Sequence, residues 1–330
     1  MSGNTSDTPI EIGEFPSDSS YASSIAESET TSVASSFLNY VYENGRRYNS
    51  ARDQAGYMLP NDEVEQDRLD LVHHYYTLML KGELCHAPLD KNTLRRALDL
   101  GTGTGIWAID FADQYRECQV KGIDLSPIQP RWVPPNCNFE VDDFEVEWTN
   151  GEKYDYIHGR TLMGSVKDWP ALIKRCYENL APGGYLELIE TDLPSAFAED
   201  DSIKGTSVET FHLALKEAGI KLGNRFDLAP ELGTFIEAAG FTDVKRERFK
   251  APMGPWPKDP HYKKLGQVGY QISISGFEAY GLALFKNVLG WDHKKAKDLV
   301  EDCVRALASR KTHMIYPVFN YIARKPLDAE

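Results

Sequence analysis

An α/β fold built on a mostly parallel sheet is predicted by three features of the chain. In Arg96-Ala-Leu-Asp-Leu-Gly-Thr-Gly-Thr-Gly105 an apolar run breaks into three alternate glycines, so Ala97–Leu100 reads as a buried strand and Ile106–Tyr115 as the helix after it. Val120-Lys-Gly-Ile-Asp124 repeats the pattern of a buried strand, here ending in an acid. Segments of strand and helix character then alternate through residue 190, the rhythm of parallel strands joined by helices.

Glycines 101, 103 and 105 let the backbone turn sharply with no side chain in the way of a ligand, which makes the loop the wall of a cofactor pocket. The dinucleotide fingerprint Gly-x-Gly-x-x-Gly is not met, because the third glycine comes one residue early and Asp99 would repel a pyrophosphate. No Gly-Lys-Ser/Thr closes the run, which excludes a Walker loop. Asp99 is placed to orient turn amides or to meet a cationic amine through water, and Asp124 to accept hydrogen bonds from two ribose hydroxyls. Asp124 alone would also suit a nicotinamide protein; Asp99, the loop spacing and Asp124 taken together do not.

Asp99-Leu-Gly-Thr-Gly-Thr-Gly105 with Gly122-Ile-Asp-Leu-Ser126 resembles class I S-adenosylmethionine-dependent methyltransferases, and more narrowly the fungal LaeA-like family of secondary-metabolism regulators and enzymes. The narrower resemblance rests on Asn61-Asp-Glu-Val-Glu-Gln-Asp-Arg-Leu-Asp-Leu-Val-His-His74, Tyr156-Ile-His-Gly-Arg160, Asp168-Trp-Pro170 and Asn179-Leu-Ala-Pro-Gly-Gly-Tyr-Leu-Glu187, and it covers roughly residues 37–326. It implies a Rossmann-like class I methyltransferase fold: a mostly parallel seven-stranded sheet with an N-terminal helical arm and a C-terminal helical cap. It also implies S-adenosyl-L-methionine as cofactor, held by Asp99, Gly101, Thr102, Gly103, Gly105, Asp124, Leu125, Asp142, Asp143, Phe144, His158 and Arg160.

Taken from the N-terminus, residues 1–36 are crowded with Ser and Thr and lack Lys and Arg, so they read as a disordered acidic tail that cannot offset its ordering entropy by burial. Residues 37–93 form an arm, irregular from Asp53 to Asn61, followed by a helix from Asp62 to Lys81 with Leu69, Val72, Tyr76 and Leu80 at helical spacing. By the resemblance this helix lies across the cleft. Adjacent His73 and His74 face different ways, so at most one meets a ligand.

Residues 94–326 are the methyltransferase domain. Pro127, Pro130, Pro134 and Pro135 rule out a regular helix before the strand Cys137–Val141. By the resemblance, Asp143 then receives the adenine amino group, with Asp142 as the other acid in reach, while Phe144 packs beside the ring. Lys153–Ile157 is the fourth strand, with His158-Gly159-Arg160 at its end on the ligand edge of an open sheet. There His158 contacts the cofactor, serves as the catalytic general base for a hydroxyl, thiol or amine, or tethers the loop, and Arg160 balances the cofactor carboxylate or a nearby acid. Asp168 caps a helix reaching Leu180, and Tyr185–Glu190 is the fifth strand. Residues 191–225 and 251–310 are acceptor-side insertions or cap, with helices over Ser207–Gly219, Tyr262–Leu289 and Asp292–Ala308, and a further helix, Pro230–Ala239, lies between the two regions. Between them Phe241–Lys250 alternates as an exposed strand, and the proline-rich loop 251–260 carries Trp256 either to seal a pocket or to pack. The last strand, His313–Ala323, contains Pro317, which belongs at an edge or irregularity, and by the resemblance it inserts antiparallel beside the fifth.

Composition bounds the partners. Lys plus Arg number 36 against 50 Asp plus Glu, and the net charge of -14 excludes a broad grip on nucleic acid. The five cysteines are scattered without zinc spacing, so no metal site is expected, and no apolar run is long enough to span a bilayer. These features point to an intracellular protein in the cytoplasm, and the resemblance implies a role in fungal development or secondary-metabolism control with entry to the nucleus through partners. The expected activity is SN2 methyl transfer from S-adenosylmethionine to a small metabolite or a protein side chain. The resemblance adds a regulatory or methyltransferase-like protein partner, and as a rival a weakly active or inactive regulator that keeps the fold.

Overall fold

The computed structural model describes residues 8–13, 40–43, 45–49, 59–148, 151 and 153–329; Phe37, the Asp53–Tyr57 stretch and most of the acidic tail lie outside these residues. The arm opens as a β-hairpin, β1 (Tyr40–Glu43) on β2 (Arg46–Asn49), where the sequence had given only an irregular lead into a helix. Helix α1 (Glu63–Met79) follows. Its N-cap Asp62 accepts the Glu65 amide at 3.0 Å and also takes the Arg46 guanidinium at 2.6 and 2.9 Å, so one carboxylate starts the helix and fastens the hairpin to it.

The strands β3 (Arg96–Leu100), β4 (Gln119–Asp124), β5 (Cys137–Val141), β6 (Tyr154–Arg160), β7 (Leu180–Thr191), β8 (Thr242–Pro252) and β9 (Ile315–Arg324) form one sheet in the order β5-β4-β3-β6-β7-β9-β8. The first five strands of that order run parallel, and β9 is antiparallel to both its neighbours. Helices α2 (Ile106–Gln114) and α3 (Trp169–Asn179) are crossovers, α3 capped by Asp168 at 2.9 Å. From β4 to β5 the proline-rich chain crosses without a helix, as expected. The connection reverses direction between β3 and β6, which puts a crevice at the carboxyl ends of β3, β4 and β6.

Helices α4 (Ser207–Leu222), α5 (Leu232–Ala238), α6 (Pro260–Asn287) and α7 (His293–Ala308) complete the chain. Trp169, Leu172 and Ile173 of α3 with Leu232 and Ile236 of α5 bury one face of the sheet, and Trp107 and Phe111 of α2 bury the other. A third cluster joins α1, α4, α6 and α7 over the ends of β8 and β9, and this is the cap. Edge strand β8 presents Lys245, Arg246 and Arg248, charges that oppose pairing with another sheet. No described helix is long and apolar enough to cross a membrane.

Three expectations need correction. Strand β6 continues through Arg160, because His158 pairs with Asp99 on one side and Glu187 on the other in unbroken register. Pro317 is not on an edge: β9 lies between β7 and β8. It fits because it stands one residue beyond the last β7 pair, Thr191↔Val318, and only its carbonyl is needed there, accepting the Asp192 amide at 3.1 Å. Finally, residues 8–13 of the tail are packed. Ile10 is buried with Trp256 and Ile315, the Gly13 amide donates to Trp256 O at 2.8 Å, and the Lys258 amide donates to Glu11 O at 2.6 Å. One buried isoleucine and two backbone hydrogen bonds tie down this short strap, and Trp256 packs against it.

Glu187 of β7, fully buried, gathers the loop before β3 onto the sheet by accepting the amides of His86 and Ala87 at 2.9 Å each, the Tyr156 hydroxyl at 3.1 Å and Asn320 Nδ2 at 2.9 Å. Replacing Glu187 with Ala leaves four buried donors without their acceptor. Denaturant unfolding is expected to show a loss of about 3 kcal/mol or more; a loss under about 1 kcal/mol would show that the donors re-pair.

Candidate cofactor and acceptor site

The crevice is built from the β3 turn outward. Asp99, buried at the end of β3, accepts the Thr102 hydroxyl at 2.6 Å and pairs with His158 Nδ1 at 2.7 Å. The Thr102 amide donates to Ile123 O at 3.0 Å, so the turn is fastened to β4 as well. Gly101, Gly103 and Gly105 all have φ between 59° and 80°, the left-handed region that side chains resist. They differ in what a side chain would meet. A Cβ on Gly101 or Gly105 would strike Leu162 or Phe139 at 2.6 and 2.4 Å, whereas on Gly103 it would meet only Leu69 Cδ1, at 3.4 Å, and enter the crevice.

Asp124 stands at the end of β4. Its carboxylate accepts the amides of Gly103 and Ser126, each at 2.9 Å, with further lone pairs toward the crevice that it lines. Burial pushes this carboxyl up to about 6, against the two amides that favour its charge. Leu125, Asp143 and Phe144 line the same space with Gly101, Gly103 and Arg160. Asp142 is exposed and accepts the Asp143 amide instead, so of the two acids Asp143 is the one in the crevice.

His158 is buried, stacked on Trp107 at 3.7 Å between centroids, and lines the inner crevice with Asp99 and Arg160. Burial lowers its pKa and Asp99 opposes this. With Nδ1–H on the carboxylate, the neutral ring turns a bare acceptor, Nε2, toward no partner in the protein. Arg160 lies over the Tyr76 ring at 4.9 Å and donates to His73 Nδ1 at 3.2 Å, while His73 Nε2 donates to Asp110 at 2.9 Å. Among the described residues Arg160 has no carboxylate partner, and burial lowers its pKa. His74 is exposed.

A second compartment opens under the cap, about 800 Å³ including its mouth, and shares Arg68, Val72, Thr161 and Tyr280 with the first. Its wall is mostly apolar: Tyr75 and Tyr76 from α1, Phe211 and Leu215 from α4, Met253, Ile272 and Phe277 around α6, and Val318 from β9. Both regions expected on the acceptor side contribute. Glu190 also lines it, fully buried at the end of β7, and sequence reasoning passed over this residue. The signal was present, since Glu190 ends a buried strand just as Asp124 does. Asn49 was missed for a different reason: from the hairpin it donates to the carbonyl of Leu125, a residue lining the crevice, at 2.6 Å, and nothing local marks it.

A parallel sheet in this order, with an acid and three glycines turning at the first strand and a second acid ending the next, defines a class I methyltransferase, whose cofactor is S-adenosylmethionine. The residues fit that cofactor: open space over Gly103, an acceptor carboxylate on β4, an unpaired guanidinium and an orphaned imidazole nitrogen. The methyltransferase-domain family model matches residues 50–246. The chain belongs to the fungal methyltransferase family of pytC and the LaeA regulators. It is 41% identical to "Methyltransferase pytC" of Aspergillus terreus, over 91% of this chain and 92% of that protein. It is 36% identical to "Secondary metabolism regulator LAE1" of Cochliobolus heterostrophus, over 87% and 95%. To "Protein-methionine methyltransferase laeA" of Emericella nidulans it is 37% identical, over 86% and 76%.

Two outcomes follow for binding. Gly103→Val is expected to abolish cofactor binding in calorimetry while circular dichroism stays unchanged, because its branched side chain enters the crevice and resists φ +59°. Asp124→Ala is expected to cost about 2–4 kcal/mol of cofactor affinity, against about 1–2 for Asp143→Ala. With Asp124 as the ribose acceptor expected from the sequence, affinity for S-adenosylhomocysteine is expected to rise as pH climbs through about 6, and this rise to disappear in Asp124→Asn.

Proposed function

We propose that the protein transfers the methyl group of S-adenosylmethionine to an apolar small molecule of secondary metabolism held in the compartment under the cap. The observation that carries this reading is the mostly apolar compartment behind α1, walled by α1, α4, α6 and β9 and joined to the cofactor crevice. A concave, mostly apolar wall with a few polar groups is the lining that small organic ligands use.

S-adenosylmethionine supplies a methyl group already activated on a sulfonium, so the chain has to bind, align and exclude water. Asp124 holds the ribose, Asp143 and Phe144 the adenine end, and Arg160 the carboxylate. His158 lines the inner cofactor crevice, while its ring is absent from the wall of the cap compartment. We therefore give it the cofactor's ammonium, accepted at Nε2, and of the roles left open by the sequence we choose cofactor contact over general base. A protein side chain is the second reading, favoured by the methionine-directed relative.

Incubating the protein with methyl-labelled cofactor and a native fungal extract separates the two readings. Label is expected in the small-molecule fraction; label confined to protein would overturn the small-molecule reading. For His158→Ala, cofactor affinity is expected to fall about tenfold, roughly 1.4 kcal/mol, while the single-turnover rate at saturating cofactor stays within about threefold. Unchanged affinity with a rate lowered about 100-fold would restore the general-base assignment.

A further inference from the structure

Glu190 stands at the end of β7, fully buried, in the wall of the cap compartment. Its two carboxyl oxygens accept the amides of Leu162 and Met163, at 2.8 and 3.0 Å, in the loop that leaves β6. Among the described residues no Lys, Arg or His pairs with it. The same compartment receives Tyr76 and Arg68 from α1, Tyr280 from α6 and Tyr316 from β9, and each of these is engaged elsewhere. Arg68 is held by Glu65, Tyr76 meets the Thr191 hydroxyl at 2.9 Å, and Tyr280 lies beneath the Arg68 guanidinium at 5.8 Å. The Tyr316 hydroxyl donates to His212 Nε2 at 2.7 Å, a nitrogen fixed as acceptor because Nδ1 donates to Val208 O at 2.6 Å. Arg160, the remaining cation nearby, lines the cofactor side.

We propose that Glu190 is the catalytic base of this protein, ionising when the sulfonium cation occupies the adjoining crevice and then taking the proton of a hydroxyl-bearing acceptor in the cap compartment. The inference rests on the cofactor reading above and adds the acceptor's chemical class, an alcohol or phenol on an apolar body. Two amides are enough to orient the carboxyl but leave it without a countercharge, and a sulfonium in the adjoining crevice supplies one. Consistent with that, burial pushes the carboxyl up to about 8 in the free protein. The step balances: the acceptor oxygen's lone pair forms the bond to the methyl carbon, the carbon–sulfur pair returns to sulfur, and the hydroxyl proton passes to a Glu190 oxygen. His212 is a poor rival, since burial lowers it to about 4. Tyr316 stands between His212 and the compartment.

The test compares S-adenosylmethionine with S-adenosylhomocysteine, which share ribose, adenine and amino acid and differ in the charge on sulfur. Infrared difference spectra of the full chain at pH 7 are expected to show one protonated-carboxyl band fall to about half with the first ligand and persist with the second, and Glu190→Gln is expected to lack that band. In calorimetry, the ratio of the two affinities in the parent, divided by the same ratio in Glu190→Gln, should grow about sixfold from pH 6.5 to 8.5, the growth that a one-unit depression from about 8 produces. This range lies above the ionisation of Asp124. If both ligands bind and no carboxyl ionises with the sulfonium alone, the inference fails, and the parent spectra decide this even where the variant does not fold. If neither ligand binds, the cofactor reading beneath it fails instead.

Discussion

The pairing of Asp99 with His158 across two adjacent parallel strands is the constraint on which the site depends. The two residues stand opposite each other in the β3–β6 register, and both are buried among apolar neighbours. A carboxylate left alone in that place would cost several kcal/mol, so the imidazole has to face it. The second carboxylate oxygen is then free to hold the Thr102 hydroxyl, which fixes the first turn of the glycine loop. A slip of one residue in β6 would put Ile157 or Gly159 opposite the acid and leave it buried without a partner. The register of the sheet and the shape of the cofactor crevice are thus set together.

The two compartments are joined along a seam to which one helix gives two of the four shared residues. Helix α1 gives Arg68 and Val72 to both, and through His73 it also positions the buried guanidinium of Arg160. Its start is held by Asp62 and the hairpin arginine, far along the chain from the sheet's loops. The arm therefore reaches both compartments through one helix.

Much of this was legible because it is local. The glycine turn, the acids ending β3 and β4, the helix cap Asp168 and the proline-broken crossover all write their geometry within a few residues. What stayed hidden depends on partners distant in sequence. His158 looked like a strand-end residue because a histidine interrupts an apolar run, and only the position of Asp99 shows why the strand continues. Pro317 argued for an edge, yet its place at the end of one ladder removes the objection. Glu190 carried no motif of its own. Its importance appears only once α1, α4 and α6 close over it.

The strap at residues 8–13 has a practical meaning for anyone choosing where the polypeptide should begin. Composition marks residue 37 as the natural starting point, since the polar tail ends there. A polypeptide begun at that point would lose the cover that Ile10 gives to Trp256 and Ile315. It would also strand the Trp256 carbonyl and leave Glu199 with only Lys250. The shortened protein would carry a new sticky face near the start of α6, and clumping of such a preparation would speak of the missing strap rather than of the fold it left behind.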